Sequence, residues 1–257
     1  MTYRAKPADG VAWVTGASGG IGRAVALELA RRGFEVFASA RRVEKLEALA
    51  REAEGLAGRI VAAPCNVTDR VDVAKLVAEI ESRRPIALAI LNAGGSWRDA
   101  PDDFGGSGFR STFAVNVQGV ANCINPVFNA MRERRKGQIA VVASLSSYGG
   151  LPNAYAYAPS KAAVASLTVG LKFLADPVGI TVQLINPGYV RTPLTADNKY
   201  PMPFLIEPDE AARRIVKGLR RGGFEIRFPL RLAFIIRALN LLPYRAYFWA
   251  FNAAKMR

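Results

Sequence analysis

Val11-Ala12-Trp13-Val14-Thr15-Gly16-Ala17-Ser18-Gly19-Gly20-Ile21-Gly22 decides how this 257-residue chain is read. Val11, Trp13 and Val14 make an apolar, β-branched and aromatic run that reads as a buried strand. From Ile21 the apolar residues Ala24, Val25, Leu27 and Leu29 switch to helical spacing. Between the two the backbone must turn tightly. Gly16, Gly20 and Gly22 have no Cβ, so the chain can adopt otherwise strained dihedrals and let a phosphate approach the free N–H groups of the helix start. The spacing is Thr-Gly-x3-Gly-x-Gly, not Gly-x-Gly-x-x-Gly, and the same glycines would also serve close strand-to-helix packing. A nucleotide is the expected ligand.

Outward from this turn the chain alternates. A helix to about Arg32 is closed by Gly33, and Phe34 to Ser39 reads as a second strand. A charged helix around Val43 to Glu54, a strand from Arg59 to Ala63, a helix near Val71 to Ser82 and a strand from Ile86 to Leu91 follow. A Gly/Asp-rich loop, Gly94 to Gly108, leads to a long helix from about Phe109 to Arg134, and residues 138–143 form a fifth strand. A helix starts near Pro159, a sixth strand covers Ile180 to Ile185, and a Pro-rich segment runs from Pro187 to Pro208. Short apolar strands separated by helices predict an α/β fold, a doubly wound parallel sheet covered on both faces. We expect one domain over residues 1–257, with a core at about 10–208, a lid at about 189–207 and an apolar and basic helical C-terminal extension at about 228–257. Residues 1–9 carry no apolar core and read as a short tail, neither signal nor anchor.

Composition narrows the chemistry. The chain has no histidine, which removes the usual zinc ligands and the base of a Ser-His-Asp hydrolase and leaves acid-base work to Tyr, Lys, Asp or Glu. No metal is expected. Cys65 and Cys123 are too few for a disulfide framework, which fits a reducing cytoplasm. The formal charge of +14 is concentrated beyond position 210, where Glu225 is the only acid. The basic residues there alternate with Leu, Ile, Phe and Trp, and no nucleic-acid motif is present, so no nucleic-acid partner is expected.

Ligands of open α/β sheets lie beyond the strand C-termini. There Tyr157 and Lys161, four apart, share one helix face, and Pro159 suits a first helical turn. An ammonium beside a phenol favours the phenolate, which fits Tyr157 for proton exchange. Ser144, at the end of the fifth strand, is positioned to donate to an oxygen gaining negative charge.

With these residues in place, the chain resembles the short-chain dehydrogenase/reductase family in its compact single-domain branch, from about Gly10 to Pro208. Thr15-Gly16-x3-Gly20-x-Gly22 looks like the family's cofactor motif, Asn92-Ala93-Gly94 like its central-strand motif, and Asn116-Val117-Gln118-Gly119 like its asparagine motif. Ser144, Tyr157 and Lys161 match the catalytic serine, tyrosine and lysine, and Pro187-Gly188 matches the turn after the sixth strand. The resemblance implies a Rossmann-type fold and NAD(P)(H)-dependent interconversion of an alcohol and a carbonyl. Tyr157 would protonate the carbonyl oxygen in reduction. Lys161 would lower the tyrosine pKa and hold the nicotinamide ribose, Ser144 would polarise the carbonyl, and Asn116 would hold a water linking Lys161 to solvent. Cofactor contacts would come from Gly16, Ser18, Gly20, Ile21, Gly22, Asn66, Asn92, Ala93, Gly94, Tyr157, Lys161, Pro187, Gly188, Val190 and Thr192. Two positions depart from the pattern: Leu91 precedes the central-strand motif where Asn is frequent, and Asn66 stands where Asp is common.

The second strand ends in Ser39-Ala40-Arg41-Arg42. Ala40 occupies the place of the carboxylate that would repel a 2′-phosphate, and Arg41 can meet that phosphate, so NADP(H) is expected over NAD(H). Prolines with Met202, Phe204 and Leu205 in the lid point to an apolar or lipid-like carbonyl substrate. The extension from Phe228 departs from the family's ending. Its apolar runs, broken by Arg231, Arg237, Pro243 and Arg245, suit a subunit interface of a homo-oligomer, a cover over the substrate pocket, or peripheral membrane contact. Two other functions stay open: an NAD-linked alcohol dehydrogenase of the same family, and a non-catalytic nucleotide-binding protein.

Overall fold

The computed structural model describes residues 3–97, 103–152, 154–196, 198 and 201–253. Seven strands, β1 (Val11–Thr15), β2 (Glu35–Ser39), β3 (Arg59–Ala62), β4 (Ile86–Leu91), β5 (Gly137–Val142), β6 (Ile180–Pro187) and β7 (Glu225–Phe228), form one sheet in the order β3-β2-β1-β4-β5-β6-β7. Every pairing is parallel. Among the described residues nine α-helices accompany them: α1 (Gly20–Arg31), α2 (Val43–Glu52), α3 (Arg70–Arg83), α4 (Ser107–Phe113), α5 (Gly119–Glu133), α6 (Tyr157–Ala175), α7 (Pro208–Arg221), α8 (Leu230–Asn240) and α9 (Tyr244–Ala253). This is the doubly wound, Rossmann-type single domain expected from the alternation.

The sheet has a core on each face because successive strand residues point to opposite sides. Along β1, Ala12 and Val14 pack with Leu27 and Leu29 of α1 and Ile215 of α7, whereas Val11 and Trp13 pack with Val127 and Met131 of α5 and Val164 of α6. β1, β4, β5 and β6 are buried throughout, which explains why they read as unbroken apolar runs. The one polar atom of the Trp13 side chain is satisfied: its indole N–H donates to Ser39 Oγ at 2.9 Å.

Three features differ from the expectations. The N-terminal segment is not a loose tail, because its described residues are stitched across β5 and β6: Ala5 N donates to Gln138 Oε1, Thr181 Oγ1 donates to Tyr3 O, and Asp9 pairs with Lys136. The long helix after the loop is interrupted. Residues Ala114–Gln118 between α4 and α5 form a π-helical turn. Finally, Glu225–Phe228 becomes an edge strand through pairing with Leu184–Pro187; the extension after it is helical, as expected, and forms α8 and α9 on either side of Pro243. Among the described residues no helix is long and apolar enough to cross a membrane.

Candidate active site

The sheet winds one way from β1 to β3 and the other way from β4 to β7, so a crevice opens beyond the C-termini of β1 and β4. Asn92 and Ala93 close its floor: both backbone N–H groups donate to Thr15 Oγ1, at 3.0 and 3.1 Å, and Asn92 Nδ2 donates to Thr15 O. Gly16 turns with φ +69° directly against this floor, where a Cβ would lie 2.8 Å from Ala93 Cα. At Gly22 a Cβ would stand 2.4 Å from both Asn92 Nδ2 and Gly16 O. Both positions therefore require glycine, as the first turn predicted. The N-terminus of α1 beyond Gly19 has no side-chain cap and no acidic residue in its first turn. Its unpartnered N–H groups and dipole fit a pyrophosphate.

At the end of β2, Ala40 is half-buried and Arg41 and Arg42 are exposed. Arg42, not Arg41, reaches the glycine turn, its guanidinium donating to Ser18 Oγ at 3.1 Å. Arg42 and Ser18 thus stand together at the turn, and position 40 carries no carboxylate. Asn66 follows β3. Its Oδ1 accepts from Thr68 N and Oγ1, and its backbone N–H donates to Asp72 Oδ2 at 2.7 Å, so the amide hydrogens are what the side chain has left to offer a base edge.

The second half of the site is built by the π-turn and α6. Asn116, fully buried, donates from Nδ2 to Gly95 O at 3.0 Å and to Ser160 Oγ at 2.9 Å, and accepts at Oδ1 from Gly95 N at 2.8 Å. Both amide hydrogens are therefore committed. Its side chain clamps the loop after β4 to α6. Ser160 completes the clamp by donating to Tyr157 O at 2.7 Å. Sequence reasoning passed over Ser160 and Gly95, whose contributions are a small hydroxyl inside a helix and a backbone amide.

Lys161 lies on α6 one turn after Tyr157, only 3 % exposed. Its Nζ donates to Val142 O at 3.0 Å and stands 5.8 Å from the centre of the Tyr157 ring. A Cβ on Gly94 would touch both Lys161 Nζ and Asn116 Oδ1 at 3.2 Å, so the three residues converge. Among the described residues no carboxylate pairs with the ammonium, and burial pushes its pKa down to about 8. Lysine is rarely buried without a partner, and here it is held against that tendency next to a tyrosine. Ser144 caps the short 3-10 turn Leu145–Tyr148, accepting from Ser146 N at 3.1 Å, and lies within 3.5 Å of Pro187 O.

Beyond β6, Gly20 faces Thr192, whose Cγ2 would be 3.1 Å from a Cβ there, so the segment after β6 lies against the glycine turn. Val190 is buried and bridges to Ile206. Gly188 lies against Pro229, Leu232 and Leu145, which brings α8 up to the Ser144 turn. The expected lid falls partly on Asp197, Lys199 and Tyr200, outside the described residues; Met202, Phe204 and Leu205 lie within them, and Phe204 is exposed.

One arrangement had no sequence signal. Glu225 of β7 accepts from Tyr148 Oη, from Asn186 Nδ2 at 2.8 Å, from Arg227 Nη1 at 2.6 Å and from Arg237 Nη2 at 2.9 Å. Burial pushes its carboxyl up, but hydrogen bonds from Tyr148, Asn186 and Arg227 and the charge of Arg237 outweigh this and hold it below the usual range. Arg237 also stacks 4.7 Å over the Tyr148 ring, and Tyr247 Oη donates to Gly150 O. The turn that follows Ser144 is therefore clasped by the C-terminal helices.

The described residues contain no cluster of groups able to hold a metal ion. The arrangement instead suits a dinucleotide laid across the crevice and a proton exchanged at Tyr157. Comparison with known proteins shows the family. Residues 10–202 match the family described as short chain dehydrogenase. An uncharacterised oxidoreductase of Myxococcus xanthus is 36 % identical over 250 residues, covering 95 % of this chain and 94 % of that protein. The 3-oxoacyl-(acyl-carrier-protein) reductase FabG of Thermotoga maritima is 32 % identical over 223 residues, 80 % of this chain and 88 % of its own. The structure of a Sphingobium yanoikuyae short-chain dehydrogenase in complex with NADPH superimposes with a TM-score of 0.78 at 25 % identity, covering 90 % and 92 % of the two chains. With the glycine turn, the Asn92 floor and the Tyr157–Lys161 helix all standing at one crevice, this chain belongs to the short-chain dehydrogenase/reductase family of NAD(P)-dependent oxidoreductases.

Proposed function

We propose that the protein is an NADPH-dependent reductase of a ketone or aldehyde with apolar or lipid-like character. The observation that carries this reading is the buried Lys161 ammonium 5.8 Å from the Tyr157 ring, without a carboxylate partner among the described residues. An unneutralised cation there favours the phenolate, which brings the tyrosine into range for proton exchange with substrate. NADPH, held by the glycine turn of Gly16 to Gly22, would supply the hydride to the carbonyl carbon. Tyr157 gives its proton to the carbonyl oxygen, so the products are an alcohol and NADP+. Ser144 donates to the same oxygen as charge develops on it. Asn116 and Ser160 hold the first turn of α6 and the loop after β4 in register, and Lys161 balances the charge left on Tyr157.

Preference for NADPH is supported by Ala40 in the acid position, by Arg41, and by Arg42 reaching Ser18. Apolar substrate character is supported by Leu145, Leu232, Ala233 and Ile236, which cluster with Tyr148 and Tyr189 beside the Ser144 turn. A homo-oligomer is supported by Val169, Phe173 and Leu174, exposed on α6. A cytoplasmic setting is supported by the two cysteines, both buried and unpaired.

The test is a fluorescence titration with NADPH and NADH at one ionic strength, followed by a panel of carbonyl compounds. Tighter NADPH binding, together with a Tyr157→Phe variant that binds NADPH normally but reduces the best carbonyl about 100-fold more slowly or worse, is expected. Equal affinities would remove the assignment to Arg41 and Arg42. Undiminished turnover in Tyr157→Phe would remove the mechanism.

A further inference from the structure

α8 and α9 are amphipathic the wrong way round for a surface at rest in water. The inner face of α8 is held by Leu232, Ala233 and Ile236, and α9 by Tyr247. Their outer faces carry large apolar side chains. Leu230 and Phe234 lie one turn apart on the outside of α8 and Leu241 follows its last residue, Phe234 and Leu241 being 76 % and 86 % exposed. On α9 the outward residues are Tyr244, Phe248 and Trp249, the first two stacked and Trp249 71 % exposed. An apolar surface of this extent, ending in Tyr and Trp, marks a contact face.

Its charge says what kind of contact. No Asp or Glu occurs after Glu225, and the Glu225 carboxylate is turned inward and shared between Arg227 and Arg237. Arg231 and Arg245 lie exposed among the apolar residues, and neither meets a carboxylate among the described residues. The face is therefore apolar, cationic and without anions of its own. A second copy docked about a two-fold axis would set this face against itself and bring arginines together with no carboxylate between them. The apolar strip on α6 differs in this respect, since Lys172 there is paired with Asp176. Helices of 11 and 10 residues reach only about 15 Å, half the thickness of a bilayer core, so the face can lie on a membrane but not cross it.

We propose that α8 and α9 form a docking surface for an anionic lipid bilayer, with Phe234, Leu241, Phe248 and Trp249 entering the interface and Arg231 and Arg245 meeting lipid phosphates. The proposal is independent of the enzymatic reading, because the surface and its test involve no cofactor or turnover. Placement beside the Ser144 turn would set the enzyme's apolar wall next to the bilayer.

The experiment is co-sedimentation of the full chain with vesicles of phosphatidylcholine alone and of phosphatidylcholine with phosphatidylglycerol. Binding to the anionic vesicles is expected, weakened by salt and reduced about 30-fold by the pair Arg231→Gln and Arg245→Gln. Quenching of tryptophan emission by brominated lipid is expected in the parent chain and lost in Trp249→Ser. All substituted residues are exposed, and an unchanged thermal melt confirms that each variant is folded. No binding, or equal binding to neutral and anionic vesicles, would overturn the proposal. So would a fall in oligomeric mass on changing Phe234→Ser and Trp249→Ser together, because that result assigns the face to a second copy of the chain.

Discussion

Replacing Lys161 by Met removes a charge while keeping most of the volume of the side chain, and the structure says how stability should respond to pH. Burial takes the Lys161 pKa from 10.5 to about 8. At about 1.4 kcal/mol per pH unit, that is about 3 kcal/mol of strain against the charged form in the fold. Below pH 8 folded and unfolded chains both carry the proton. Between about 8 and 10.5 only the unfolded chain does, so stability contributed by this group rises with pH across that window. From pH 7 to pH 9.5 the wild type should gain about 2 kcal/mol relative to Lys161→Met. The substitution also removes the donor to Val142 O at 3.0 Å, but that loss is the same at both pH values and drops out of the difference. The measurement is urea unfolding of both proteins without cofactor at pH 7 and 9.5. In melting temperature the relative gain is about 4 to 8 °C for a domain of this size. A wild-type-minus-variant difference that does not change between the two pH values would refute the reasoning, since it would mean that Lys161 is solvated or paired in solution. At pH 7 the variant should be inactive in carbonyl reduction while at least as stable as the parent, the trade-off expected of a site that holds an opposed charge.

Two further substitutions test the scaffold. Glu225→Gln exchanges a carboxylate with four donors for an amide, and should destabilise the chain by about 2 to 4 kcal/mol at pH 7, read by urea unfolding. Because the folded Glu225 pKa lies below its ordinary 4.5, its contribution is full above that value and lost as pH falls through the folded one. The gap between the two proteins should therefore close on acidification; a gap that persists would assign the loss to packing. Ser160→Ala leaves Asn116 Nδ2 short of one acceptor in a buried place and should lower stability by about 1 to 3 kcal/mol. It should also lower kcat more than KM for the carbonyl, and an unchanged kcat would remove Asn116 and Ser160 from the positioning of α6.

The sheet was readable because its central strands are buried on both faces and so appear as unbroken apolar runs, and the glycine turn because Gly16 and Gly22 sit where a Cβ would strike backbone or Asn92. Tyr157 and Lys161 were readable from a spacing that one helix turn makes meaningful. β7 was not, because Glu-Ile-Arg-Phe is too short and too polar to suggest a strand without the edge of β6 beside it. The π-turn at Asn116 leaves no trace in residue spacing, since it adds one residue to a helix whose sequence still reads as continuous. Arg42 was passed over in favour of Arg41 because side-chain reach, not order along the chain, decides which guanidinium meets Ser18. The Glu225 clasp joins β7, the turn after β5, the end of β6 and α8, and contacts of that separation have no local signature.

Two buried or half-buried charges stand near the Ser144 turn, and they are shifted in opposite senses relative to their charged forms. Glu225 is surrounded by donors and two guanidinium groups, so its pKa falls and the charged form is the stable one. Such a carboxylate fixes structure: it ties Tyr148 and Asn186 to α8 and gives the turn one geometry. Lys161 has one carbonyl and a ring, and its pKa falls too, but for a base that means the charged form is disfavoured. A fold gains nothing from that on its own account, because methionine would fill the same space without the opposing charge. The ammonium is stabilised only when something nearby becomes negative, and Tyr157 after giving up its proton is the group in place to do so. On the proposed mechanism the two residues divide the work: Glu225 holds the wall of the site in position, and Lys161 is placed to meet a charge that would exist only while the reaction is under way.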